Sequence, residues 1–291
     1  MSRHRAIRRL TTRAGFFAQA RALVPALALA LLSFGSAARA DAAPRRVVSI
    51  NLCTDQLAML LAAPGQLLSV SWLAADPRSS VMPQEARGYA LNRGGAEEVF
   101  ALRPDLVLAS SWTRRETISL LRRLGVEVAE LAPAQRLEDI APAIREMASL
   151  LGRAEEGEAM ARDFTMKLDA LRGPDSGRTA AIWEAGGYTS GSGTLSDEVL
   201  RAAGLRNLAA HTGLAGGGYL ALERLVMERP DLILSSSPWP GASRAEDILR
   251  HPALVALMSD SAALVVRDAD WVCGLPQILT AVEGLKGVVP Q

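Results

Sequence analysis

One stretch of this 291-residue chain occurs twice, and that limits the possible folds more than any single motif. Glu97-Glu-Val-Phe-Ala-Leu-Arg-Pro-Asp-Leu-Val-Leu-Ala-Ser110 aligns without a gap on Glu223-Arg-Leu-Val-Met-Glu-Arg-Pro-Asp-Leu-Ile-Leu-Ser-Ser236, an offset of 126 residues. Arg-Pro-Asp-Leu is identical in both copies and the flanking apolar positions match. Each copy reads as a helix, a proline that ends it, and a buried strand. Pro-Asp before an apolar strand is common punctuation. A 14-residue match placed once in each half nevertheless favours a duplicated fold over coincidence.

The same alternation runs along the rest of the chain. Arg46 to Asn51 reads as a strand, Thr54 as an N-cap before a helix from Gln56 to Ala62, and Leu67 to Ser71 as a second strand. Leu106 to Ala109 and Val126 to Leu131 follow as strands, with helices over Glu97–Leu102, Arg114–Leu124 and Leu137–Leu151. A long helix from Arg153 to Leu171 carries Met160, Phe164, Leu168 and Leu171 on one stripe and stops at Gly173-Pro174. The alternation then restarts: strands Thr179–Trp183, Leu232–Ser235 and Leu264–Arg267, and helices Ser196–Ala203, Leu222–Glu228 and Gln277–Leu285. Gly191-Ser-Gly193 and Gly216-Gly-Gly218 read as loops. The expected fold is α/β, two units with mostly parallel sheets joined by one long α-helix. The boundaries expected are a leader over 1–40, an N-terminal lobe over 41–152, a linking helix over 153–172 and a C-terminal lobe over 173–291.

Charge separates the leader from the body. Residues 1–40 carry seven arginines and no acidic residue, so the remaining 25 basic and 31 acidic residues give the body a net charge of −6. An apolar run from Ala22 to Leu32, then Ala38-Arg39-Ala40, reads as a signal peptide cleaved after Ala40. The run is too short to span a bilayer. A soluble, exported protein is expected, and its acidic body argues against nucleic acid as a partner.

Aromatic residues mark the candidate ligand site. Trp72, Trp112, Trp183, Trp239 and Trp271 each fall at or just beyond the carboxyl end of an expected strand, and Tyr188 follows Trp183. In open α/β sheets that end is where ligands bind, and such rings suit a bulky ligand. Nothing in the chain matches a hydrolase elbow, a phosphate loop or a dinucleotide fingerprint. His211 and His251 are too few to cage a bare metal ion. No catalytic residue, resident cofactor or metal-ligand set is therefore nominated. The alternative from another class is an extracytoplasmic α/β hydrolase using a loop serine with His211. Cys53 and Cys273, the two cysteines, most simply form a disulfide tying the halves together. Two free buried thiols, or thiolates on a bound metal centre, are the alternatives.

Taken together, the opening strand, the paired Glu…Pro-Asp-Leu segments, Tyr188-Thr-Ser-Gly191 with its helix, and Asp270-Trp271 resemble the periplasmic substrate-binding proteins of ABC importers for cobalamin, ferric siderophores and haem. The resemblance covers essentially all of residues 41–291. It implies two lobes on one long helix, a metal chelate held between them, and delivery to an inner-membrane permease by a monomer. It also implies that Glu97 and Glu223 dock on permease arginines. Leu91 and Gly217 stand where cobalamin-binding members carry rings, with Tyr89 and Tyr219 two residues away. The ligand-binding set implied is Trp72, Arg78, Tyr89, Trp112, Trp183, Tyr188, Tyr219, Trp239 and Trp271. Arg78, Arg87, Arg93 and Arg114 are available to an anionic chelate.

Overall fold

The computed structural model describes residues 43–236 and 243–288; the expected leader over 1–40 and Trp239 lie outside them. The first lobe is built on β1 (Val47–Ser49), β2 (Leu67–Ser71), β3 (Ala90–Asn92), β4 (Leu106–Ser110) and β5 (Val128–Leu131). These strands are all parallel, in the order β3-β2-β1-β4-β5. The second half supplies β6 (Thr179–Ile182), β7 (Tyr188–Ser190), β8 (Arg206–Asn207), β9 (Gly217–Tyr219), β10 (Leu232–Ser236) and β11 (Ala262–Val266). A parallel sheet runs in the order β11-β10-β6-β8, while β7 and β9 form a separate antiparallel ribbon. The fold is the two-lobed α/β arrangement expected, with the ribbon as an addition.

Strand periodicity distributes each sheet between two cores. In the repeat, Leu106 and Leu108 face one apolar cluster, and so do their counterparts Leu232 and Leu234. The intervening Val107 and Ile233 face two other clusters, one private to each lobe. The first of these cores is shared. It runs from the helices Leu52–Leu61 and Ile140–Leu150, through Ala161, Phe164 and Leu168 of the long helix, to Leu200, Trp271 and Val282 of the second lobe. The linking helix spans Ala154–Leu171, and Gly157 lets it lie against Ala148 where a Cβ would collide. Lobes that share an apolar core expose it if they separate.

Both copies of the repeat also solve one local problem in one way. Arg103 and Arg229 are the two non-glycine residues with positive φ among the described residues, at 50° and 48°. Each turns the chain out of its short helix so that the following Pro-Asp can enter a strand. Asp105 then accepts from the backbone N–H groups of Arg45 (2.8 Å) and Arg46 (2.9 Å), at the start of β1. Asp231 accepts from the N–H of Thr179 (2.7 Å) and its hydroxyl (3.1 Å), at the start of β6. The Arg-Pro-Asp motif is therefore a device for anchoring each lobe's central strand.

Several local expectations change. The first helix begins at Leu52, with Asn51 rather than Thr54 as its cap: Asn51 Oδ1 accepts from Cys53 N. Gly217 and Gly218, expected in a loop, pair as a strand with Thr189 and Ser190. Among the described residues no helix is long and apolar enough to cross a membrane.

Candidate functional site

Parallel strands put all their carboxyl ends on one edge of each sheet, and the two edges are tied to one another. Cys53, just past β1, and Cys273, beyond β11, form a disulfide with Cα atoms 5.2 Å apart. The carboxyl ends of both sheets therefore flank a common cleft. In the first lobe the strand order reverses between β1 and β4, and in the second between β6 and β10. Such reversals splay the loops apart and open a crevice.

At the first reversal lies a cavity of about 60 Å³. Asn51, Thr54 and Ser110 supply its polar atoms, Leu57, Leu131 and Pro133 part of its apolar wall, and Val272 and Gly274 close it from the second lobe. It has room for a few waters or a short side arm, not for a macrocycle. Trp112, 73% exposed just past β4, is part of its lining, and Trp72, 47% exposed, follows β2 on the same carboxyl edge. In the second lobe, beyond the carboxyl end of β6, lies the ribbon, where Tyr188 and Tyr219 are exposed cross-strand partners packed edge to face with centroids 5.9 Å apart. A side chain at Gly217 would collide with the Tyr188 hydroxyl, so the Tyr188 ring occupies the space that a residue at 217 would otherwise fill.

Three nominated residues are not at this rim. Trp183 is fully buried in the second lobe's private core, and its Nε1–H donates to Leu220 O at 3.0 Å. That bond holds the end of the ribbon that carries Tyr219, so Trp183 supports the rim from beneath. Trp271 is buried in the shared core beside Cys273. Tyr89 precedes β3, on the amino edge of its sheet, and is half-buried. In all three cases strand direction and core packing override the proximity in sequence that nominated them. Arg78 is exposed after β2, its N–H bonded to Asp76 Oδ1 at 3.0 Å. Glu97 and Glu223 are exposed in the first turns of the helices Ala96–Ala101 and Leu222–Glu228, at equivalent positions of the repeat.

Two groups escaped sequence reasoning. Glu184, just past β6, accepts from Ser236 N (2.9 Å) and Ser236 Oγ (2.6 Å), closing the second reversal with a carboxylate. Behind the first lies a buried polar seam. Ser49 and Thr54 share a 2.8 Å hydrogen bond, Asn92 Nδ2 donates to Ser49 O and Ser69 Oγ, and Ser71 Oγ donates to Asp55. Burial pushes the Asp55 carboxyl up to about 6, and its Oδ1 has no partner. Isolated polar residues within apolar strands were the only signal, and it does not reveal which of them meet.

His211 is exposed at the end of the helix Leu208–His211, with no hydrogen-bonded serine among the described residues. His251 Nδ1 accepts from Ala253 N and caps the helix Pro252–Asp260.

Comparison with known proteins gives a consistent set. A family model described as periplasmic binding protein matches residues 47–258. A cobalamin-binding protein of Halobacterium salinarum is 26% identical over 201 residues, covering 67% of this chain and 54% of its own. The chain thus spans about half the length of that relative. A vitamin B12-binding protein of Pectobacterium carotovorum subsp. carotovorum is 25% identical over 229 residues, covering 75% and 72%. A periplasmic heme-binding protein from Roseiflexus sp. RS-1 superposes with a TM-score of 0.69 at 22% identity, over 83% of this chain and 96% of its own. None of these is named as a hydrolase, and nothing in the set supports the hydrolase alternative.

Proposed function

The chain belongs to the periplasmic binding protein family, and on that premise we propose that it is a non-catalytic receptor that captures a metal chelate, a corrinoid or a ferric siderophore, and hands it to an ABC importer permease. The observation that carries this reading is the set of exposed rings beyond strand ends: Trp72 and Trp112 in the first lobe, Tyr188 and Tyr219 in the second, with a disulfide tying the two lobes at their carboxyl edges. Large rings left in water at the mouth of a cleft are costly unless a ligand covers them. The names of the relatives, two of them corrinoid binders, point to the same chemistry.

In this reading the leader over 1–40 directs export to the periplasm and is removed after Ala40, and the released monomer diffuses to the permease. Glu97 and Glu223, one per lobe and related by the repeat, orient it on basic permease residues. Replacing both by alanine should abolish uptake in cells while leaving chelate affinity unchanged. Loss of affinity instead would move these residues from docking to folding.

Tryptophan fluorescence of residues 41–291, titrated with cyanocobalamin, haemin and a panel of ferric siderophores, tests the receptor reading. Saturable quenching near one equivalent is expected, and most of it should disappear in a Trp72→Phe, Trp112→Phe variant. If no chelate quenches, the receptor reading fails.

A further inference from the structure

The cavity at the first strand reversal has a composition that selects for part of a ligand. Among the residues that line it there is no acidic, basic or histidine side chain. Two side-chain donors at its wall are unused. Asn51 Oδ1 accepts from Cys53 N, and its Nδ2 has no partner among the described residues. Ser110 is buried; its Oγ accepts from Trp112 N at 3.1 Å, and its hydroxyl hydrogen has no acceptor among the described residues. Thr54, by contrast, is engaged with Asn51 O and Ser49. The cavity therefore offers two hydrogen-bond donors within walls of Leu57, Leu131 and Pro133, and no countercharge.

From this geometry we infer that the cavity is a subsite for a short, uncharged, carbonyl-bearing arm of the chelate, a carboxamide. The inference rests on the receptor reading above. A carboxylate or catecholate arm would enter an apolar pocket without a cation to meet it, and burying an unpaired anion is far more costly than burying an amide whose carbonyl accepts two hydrogen bonds. The second reversal does not share this character, because there Glu184 already holds Ser236. The disulfide between Cys53 and Cys273 keeps both walls of the cavity in place, so the subsite is preformed.

The test compares matched chelates. Dicyanocobinamide and dicyanocobyrinic acid share the corrin ring and differ in bearing amides or carboxylates, and ferrichrome and ferric enterobactin differ in being an uncharged complex with free peptide amides or an anionic tris-catecholate. Wild-type protein should bind the neutral member of at least one pair ten or more times tighter than its anionic counterpart. Ala143→Leu, on the helix bordering the cavity, fills the space with a good helix former and should weaken the neutral member at least tenfold. Ser110→Ala keeps the volume, removes one donor and should weaken it about threefold to tenfold; it carries the test if Ala143→Leu does not fold. Equal binding within each pair, or undiminished binding by these variants, overturns the subsite and leaves the receptor standing. If wild-type protein binds none of the four chelates and no haemin, the receptor reading falls and the subsite with it.

Discussion

Ser110 and Ser236 close the two copies of one repeat, yet they end in opposite environments. Ser110 looks into a neutral cavity with its hydroxyl hydrogen unused, whereas Ser236 donates to the Glu184 carboxylate. The tryptophans divide in the same way. Trp72 and Trp112 stand exposed on the first lobe, while Trp183 of the second is fully buried and bonded to Leu220 O. Duplication preserved what a lobe needs to fold: the left-handed arginine, the aspartate anchor and the alternation of Leu106 and Leu108 with Val107. It left the loops beyond the strands free to diverge. The first lobe presents rings and donors, and the second presents a ribbon.

Four sets of substitutions probe this division. Trp183→Ala removes a buried indole from a closed core and should cost about 4 kcal/mol of unfolding free energy. Trp112→Ala should cost no more than about 0.5 kcal/mol, because an exposed ring has little packing to lose. Denaturant titration of both decides this, and similar costs would erase the distinction between support and rim. Next comes the tie between the lobes. Cys53→Ser with Cys273→Ser should lower stability by about 3 kcal/mol, the range for a cross-link that closes a long loop. Because the shared core persists, small-angle scattering of this variant should match wild type with and without chelate. A large compaction on binding would mean that the lobes are not stiffly joined.

The aspartate anchors follow. Asp105→Ala and Asp231→Ala should each cost about 1 to 2 kcal/mol, since each strips acceptors from strand N–H groups. The Thr179 N–H holds the Asp231 carboxyl below the usual aspartate range. Its contribution is therefore present at neutral pH and lost as the carboxyl protonates on acidification below about pH 4. Thermal melts should show the gap between wild type and Asp231→Asn narrowing there. Asp55 behaves in the opposite sense. Its folded value of about 6 lies above that of the unfolded chain, so its ionisation weakens the fold as pH rises from about 4 to 6. Asp55→Asn should be more stable than wild type at pH 7 by about 1 kcal/mol, with the advantage fading towards pH 4. An advantage that does not change with pH would mean the group is not titrating there.

The comparison also separates what could be read in the chain from what could not. The long helix over 154–171 and β2 over 67–71 were legible because their apolar periodicity is strong and glycine or proline bounds them. β3 was not, since three residues paired on one side leave too short a pattern. The ribbon was hidden because Gly217 and Gly218 read as a loop. They are strand residues only because the Tyr188 ring and Leu214 occupy the space their side chains would take. The pairing of Cys53 with Cys273 was the simplest reading of two cysteines, but a separation of 220 residues says nothing of where the bond lies.

Sequence alone determined the duplicated α/β architecture, because periodicity and helix-ending residues act locally and the repeat encodes them twice. It also determined that rings gather near strand ends. Only the tertiary structure decided which rings reach the cleft. Trp72 and Trp183 follow their strands alike, but exposure depends on what packs over a side chain from distant parts of the chain. Leu208, Leu222 and Leu254 are in the cluster that encloses Trp183, and Trp72 has no such cover. The neutrality of the cavity has the same origin. Asn51, Ser110 and Gly274 are unremarkable apart, and they acquire a joint preference only when two sheets and a disulfide bring them together.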